Sequence, residues 1–195
     1  MKRIRRALLF MTLALLSCTA PLYETAEIRK GLTLGGGVGA FALRDPATYY
    51  HSYDYDGLSA SFLVRYSDTV RAAFGCQGAL FWSPGHVDPA YEAYLNRKVG
   101  LWPHGSCLIG LGYPRVVSVS FLQDIGNVVT IRIGGGLIGA FDCALGVHPR
   151  LTDHLRCHVS AAIGGGSIPG DVYEDPAIIR CFTAGIGLEF LPGSK

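Results

Sequence analysis

From residue 31 to residue 190 the chain alternates with period two, apolar residues on one side and Gly, Ser, Thr or Arg on the other. Leu58-Ala60-Phe62-Val64-Tyr66 interleaves with Ser59-Ser61-Leu63-Arg65, Val117-Val119-Phe121 with Ser118-Ser120, and Val129-Ile131-Ile133 with Thr130-Arg132. Side chains on a strand point alternately to opposite faces, so this is a strand pattern, and an all-β fold follows. The less apolar face is small and nearly free of Lys and Glu. Charged residues make up 16% of the chain, against about 25% in a typical soluble domain. The apolar face is therefore expected to point outward, toward lipid.

The first residues carry a different signal. Met1-Lys2-Arg3-Ile4-Arg5-Arg6 is basic, and Ala7 to Leu16 is an apolar run that ends at Leu15-Leu16-Ser17-Cys18. The run is too short for a spanning helix, which needs about 20 apolar residues, and its form is that of a secretory signal. The ending resembles the lipobox of bacterial lipoproteins, with Leu16 where a smaller residue is usual. That resemblance makes Cys18 a candidate for lipidation, the other reading being cleavage near Thr19-Ala20. Loss of residues 1–17 removes Lys2, Arg3, Arg5 and Arg6, so the formal charge moves from +2 to −2. The basic pI belongs to the signal, and no nucleic-acid partner is implied. The expected organisation is a signal peptide at 1–17, a short segment at 18–30, a barrel at 31–191 and a tail at 192–195.

Turn signals place strands at about 31–43, 57–66, 69–82, 98–112, 115–123, 128–147, 155–165 and 178–190, which makes eight. Ser67-Asp68, Tyr113-Pro114 and His148 to His154 are short connections. Arg44 to Asp56, Ser83 to Lys98 and Gly166 to Ile178 are long. Asp124 to Asn127 breaks the alternation, and 128–147 is long for one strand and contains Gly134-Gly135-Gly136. A turn hidden there would raise the count to nine or ten. An even strand number with short turns on one side and long loops on the other is the organisation of bacterial outer-membrane barrels.

The Gly-rich stretch Leu32 to Leu43, that alternation, and the final strand Ala184-Gly185-Ile186-Gly187-Leu188-Glu189-Phe190 resemble the small eight-stranded outer-membrane barrels of the OmpW, OmpX and OmpA-domain type. The resemblance implies a closed, antiparallel, up-and-down, transmembrane barrel in the bacterial outer membrane, with both termini periplasmic and the long loops extracellular. It also implies a non-enzymatic role, either as a narrow conduit for small hydrophobic solutes or as a recognition protein for an extracellular host or surface ligand. Phe190 is followed by Leu191-Pro192-Gly193-Ser194-Lys195, whereas those families end on the aromatic residue.

With the apolar face outward, the inward set contains Arg65, Arg71, Gln77, Arg132, Asp142, Arg156, His158 and Glu189, together with several serines. An eight-stranded barrel is only just wide enough for its side chains, so these groups are expected to pair in an internal polar network and to leave no open pore. Pairing the strands around 148–154 symmetrically sets Asp142 opposite His158 and Cys143 opposite Cys157. The same reasoning brings Cys76 toward Cys107 and leaves Cys181 over. Export permits disulfides at these pairs; the alternative is that the cysteines are small apolar residues on the strands.

The first long loop contains Tyr49, Tyr50, Tyr53 and Tyr55 among Asp, His and Ser. These tyrosines suit adaptable contacts to a surface ligand, or else membership of an interfacial aromatic belt with Phe81, Trp82 and Trp102. No metal or cofactor is expected: His51, Asp54 and Asp56, and His86 with Asp88, lie in loops without the fixed geometry of a selective site. Two further readings stand beside the membrane barrel. One is a lipid-anchored soluble barrel of lipocalin type, with the apolar face inward around a ligand. The other draws on His158-Val159-Ser160, which looks like the His-x-Ser pair of outer-membrane lipid A deacylases, with Glu174 as its third member.

Overall fold

Alternation along every segment closes into one sheet. The computed structural model describes residues 24–44, 54–84, 90–113, 116–136, 141–168 and 177–191. Among them ten strands follow one another: β1 (Gly31–Arg44), β2 (Asp54–Ser67), β3 (Ala72–Trp82), β4 (Ala90–Trp102), β5 (Gly105–Tyr113), β6 (Val117–Ile125), β7 (Val129–Gly136), β8 (Phe141–Val147), β9 (Leu155–Ile168) and β10 (Ala177–Phe190). Each pairs antiparallel with its neighbours in sequence, and β10 returns to β1 to close the barrel. Closure leaves no unpaired strand edge.

Two expected strands are each two. The stretch 98–112 is divided at Pro103-His104, where His104 adopts a positive φ of 62° and β4 pairs back onto β5. The stretch 128–147 is divided after the glycine run, between β7 and β8. With ten strands the lengths sort by end only in part: 114–116 and 137–140 are shorter than 148–154, and Tyr113-Pro114, expected among the short turns, falls at the opposite end because the added turn at Pro103-His104 reverses the direction of the strands that follow. Connections 68–71, 103–104, 126–128 and 148–154 lie at one end, the short-turn end, together with the start of β1 and the end of β10, and 45–53, 83–89, 114–116, 137–140 and 169–176 lie at the other, the long-loop end. The short Asp124–Asn127 connection thus belongs to the short-turn end.

The apolar face points outward. On β2, Leu58, Phe62, Val64 and Tyr66 are exposed while Ser59, Leu63, Arg65 and Ser67 are buried. The same parity runs around the barrel through Leu34, Val38, Leu80, Leu95, Leu111, Phe121, Ile133, Leu145, Val159 and Ile186, with Leu95 at 70% exposure. A wall this apolar on its outside and polar on its inside is the reverse of a soluble sheet. No helix of the described residues is long and apolar enough to cross a membrane, which is silent about strands.

Register corrects the cysteine pairings. Across β8 and β9, Cys143 stands opposite Ile163 and Asp142 opposite Gly164, because the connection 148–154 is not symmetric about the centre assumed from sequence. Cys76 lies on β3 and Cys107 on β5, with all of β4 between them. Cys76, Cys107, Cys143 and Cys157 are therefore free thiols, while Cys181 is buried on the inner face. Phe81 also departs from the expected belt. It alternates with outward Trp82 and turns inward, where its ring meets Phe41 edge to face at 5.4 Å.

Candidate functional site: a plugged lumen

Residues before β1 form the feature that sequence periodicity missed. From Gly31 at the short-turn rim the chain runs back into the barrel, so that Lys30 is exposed while Ile28, Ala26, Thr25 and Glu24 are buried. Barrel diameter grows with strand number, and at about eight strands side chains alone fill the interior. The two extra strands open room that this segment occupies.

The segment is acidic and its seat is basic. Arg65 of β2 donates from Nη1 to Glu24 Oε1 and from Nη2 to Asn96 Oδ1 at 3.2 Å. Lys98 of β4 places Nζ 3.5 Å from Glu24 Oε1 and donates to the carbonyls of Thr25 and Glu27, the latter at 2.8 Å. Arg156 of β9 donates to Thr25 Oγ1 at 3.1 Å and to Glu27 Oε2, and also reaches Glu189 Oε2 at 3.1 Å. Asp124 of β6 accepts the Ala26 N–H at 2.8 Å and the Glu27 N–H at 3.2 Å. The plug is thus tied to β2, β4, β6 and β9. Hydrogen bonds to charged groups are the stronger kind, so these ties are expected to outweigh ordinary loop contacts.

Glu27 sits at the rim. Arg29 donates to it at 2.9 Å and Arg150 at 3.1 Å. Burial opposes its charge, but the hydrogen bonds from Arg156 and Arg29 outweigh burial and hold its carboxyl at about 2. His148, in the 148–154 connection, is buried under the same rim. Thr130 Oγ1 lies 2.5 Å from Asp124 Oδ1 and 2.6 Å from His148 Nε2. The hydroxyl has one hydrogen, which goes to Asp124, so His148 donates from Nε2. Burial, then the nearby Arg156 guanidinium, holds the His148 pKa below the ordinary imidazole value despite the Asp124 carboxylate. Its ring lies 5.8 Å from that of His158.

Seven of the eight residues expected in the internal network are buried on the inner face: Arg65, Gln77, Arg132, Asp142, Arg156, His158 and Glu189. Arg71 is not. It lies in the connection between β2 and β3, exposed, and contributes its carbonyl to the Gly100 N–H at 2.8 Å. Asp142 pairs with Arg132 at 2.8 Å and not with His158, whose Nε2 meets Glu189 Oε2 at 3.1 Å. Glu24, Glu27, Lys98, Asp124 and His148 complete the network. Strict alternation could have shown Asp124, which shares parity with the inward Ser118 and Ser120 of β6, whereas no inward residue recognised on β4 marked the parity of Lys98. Nothing periodic marks Glu24 or Glu27.

Between the plug and the rim a cleft of about 340 Å³ opens at the short-turn end, bordered by Ile28, Trp102, His104, Asn127 and Arg150. His158 and Ser160 both turn into the lumen and are buried, away from any membrane lipid. Glu174, Cys18, Tyr49, Tyr50, Tyr53, His51, His86 and Asp88 lie outside the described residues, and Tyr55 falls in β2 opposite Leu43. Among the described residues no group of three His, Cys, Asp or Glu side chains is placed to hold a metal ion.

No protein-family model matches this chain, and no curated protein matches it. Among solved structures it is similar to Ail, the attachment invasion locus protein of Yersinia pestis, solved in complex with the heparin analogue sucrose octasulfate. Identity is 12%, the match covers 83% of this chain and 100% of that chain, and the TM-score is 0.37. So distant a likeness carries no function across.

Proposed function

We propose that this chain is a bacterial outer-membrane β-barrel without catalytic activity, its plugged end and termini periplasmic, that serves as a surface-exposed recognition protein. The observation that carries the reading is the combination of a lipid-suited outer wall with a lumen closed by its own ion-paired N-terminal segment. A closed lumen favours presentation of the loops over passage of solute. A conduit for small hydrophobic solutes would require residues 24–30 to leave their seat. The lipocalin-type alternative requires the apolar face inside, where Arg65, Lys98, Arg132 and Arg156 stand instead. Residues 1–17 act as the export signal in this reading, and Cys18 remains the candidate for acylation.

Recognition is assigned to the long-loop end, with Tyr49, Tyr50 and Tyr53 as its aromatic contacts. The test is adhesion of cells that display the barrel. Replacing the three tyrosines by serine is expected to abolish adhesion while heat-modifiable gel mobility is retained. Unchanged adhesion would remove the recognition role, and loss of heat-modifiable mobility from the native chain would remove the membrane barrel.

A further inference from the structure

We propose that Cys181 is joined to Cys18 by a disulfide, which tethers the N-terminal segment to the wall of the lumen beneath the long loops. This rests on the membrane reading above, which exports the chain to a compartment where disulfides persist.

The chain has six cysteines. Cys76, Cys107, Cys143 and Cys157 are free thiols, whereas Cys181 is disulfide-bonded. Cys18 is the one cysteine left to be its partner. Position on the wall agrees. Cys76, Cys107, Cys143 and Cys157 share the outward parity of Phe74, Leu111, Leu145 and Val159, so each belongs to the outer face. Cys181 has the inward parity of Thr183 and Glu189 and is 1% exposed.

The plug is aimed toward it. Glu27 meets Arg150 at the rim. Glu24 meets Arg65, whose second branch holds Asn96, one inward position beyond Lys98 toward the long loops. The chain therefore climbs the lumen as it runs from residue 27 back to residue 24. Arg65 stands opposite Thr33, and Cys181 opposite Leu43. From Thr33 to Leu43 the strand extends about 33 Å, or about 25 Å along the axis of a barrel whose strands tilt about 40°. An extended chain from Glu24 to Cys18 spans about 20 Å, and a disulfide holds its two Cα atoms about 5.5 Å apart. The segment is just long enough to reach.

Forming the bond is an oxidation. The two thiols give up two protons and two electrons to a periplasmic protein disulfide, which passes through a mixed disulfide and leaves as a dithiol. The bond uses the sulfur that acylation would take, so Cys18 held by Cys181 carries no lipid. The ion pairs seat the plug and the disulfide tethers it, so a plug driven from its seat stays attached to β10.

The experiment is peptide mass spectrometry of the full chain extracted from membranes in detergent and alkylated with iodoacetamide in denaturant without reductant. Cys76, Cys107, Cys143 and Cys157 are expected to be alkylated, and Cys18 and Cys181 to appear as one cross-linked pair that dithiothreitol separates. In Cys181→Ser, which should keep heat-modifiable mobility, Cys18 should become alkylated. Trypsin cleavage of the folded barrel after Arg29 should quicken about tenfold on reduction, because the high effective concentration set by the tether is lost. An alkylated Cys181, a lipid on Cys18, a mature chain that begins after residue 18, or cleavage indifferent to dithiothreitol would each overturn the proposal. A chain that stays in water without detergent would instead remove the membrane reading itself.

Discussion

The two halves of the lumen differ in their mixture of charge and packing. Toward the short turns, Glu24 and Glu27 are gripped by Arg65, Lys98 and Arg156. Toward the long loops, Phe41, Leu43, Ala79, Phe81 and Ala162 pack inward around fewer charges, Glu92 and the Asp142–Arg132 pair. Ion pairs in a buried seat respond to the loss of one partner, to charge reversal and to pH, whereas packed aromatics respond to lost volume. A closure built on charge can be undone without dismantling the wall, and the plugged half is accordingly the part of the molecule that chemistry can open.

The largest separation of the two halves is expected from Glu24→Lys, which places a cation against Arg65 and Lys98. Breaking a buried pair costs about 3–5 kcal/mol. The plug should leave its seat, seen as rapid proteolysis at Arg29 and Lys30 in a barrel that stays folded. Phe81→Ala should cost a comparable ~3–5 kcal/mol by removing the Phe41 contact and leaving a cavity. Here the temperature of heat-modifiable unfolding should fall while Arg29 stays protected. If both substitutions exposed the plug equally, the division into two mechanisms would fail.

A smaller effect is expected from Asp124→Asn, which keeps the shape of the side chain and removes the charge that accepts the Ala26 and Glu27 amides. Hydrogen bonds to charged groups contribute about 1.5–3 kcal/mol, so exchange of those two amides should quicken, with the β1–β10 ladder unaffected.

Acidification should loosen the same half in two stages. His148 is held neutral in the folded chain, so the unfolded chain takes up the proton first, and stability falls as pH drops below the ordinary imidazole value of about 6.5. The groups facing it are Arg156, Asp124, His158 and Thr130. The Glu27 carboxyl, at about 2 when folded against 4.5 ordinarily, contributes stability that is complete above about 4.5 and is lost as pH falls through 2. Protection of the amides of residues 24–30 relative to their intrinsic exchange rates measures both stages, and protection that stays constant from pH 7 to 3 would contradict them. The smallest change is expected from Arg97→Gln on the outer face, where the guanidinium lies 5.0 Å from the Phe74 ring. An exposed pair of this kind contributes about 0.5–1 kcal/mol.

The sequence makes the wall legible because a strand's period of two separates an apolar outer side from a polar inner side at nearly every residue. Arg65, Arg132 and Arg156 could be assigned to the interior from parity alone. Strand number was harder to read. Between Val99 and Cys107 the turn is only the two residues Pro103-His104, followed by Gly105, and His104 takes the positive φ that Gly would ordinarily supply, so a short turn signal is easily read through as one strand. The plug was not legible, because Glu24-Thr25-Ala26-Glu27 has no periodicity and owes its position to partners on four distant strands. The Asp142–His158 pairing failed for a related reason: one wrongly centred turn moves every partner along the ladder.

The most direct test of a barrel closed by its own N-terminal segment is ion current through a planar bilayer containing the full chain, compared with Glu24→Lys. The native protein should insert and show no steady open level, and Glu24→Lys should show stepwise conductance. A stable open level in the native protein, equal to that of the variant, would contradict the plugged lumen.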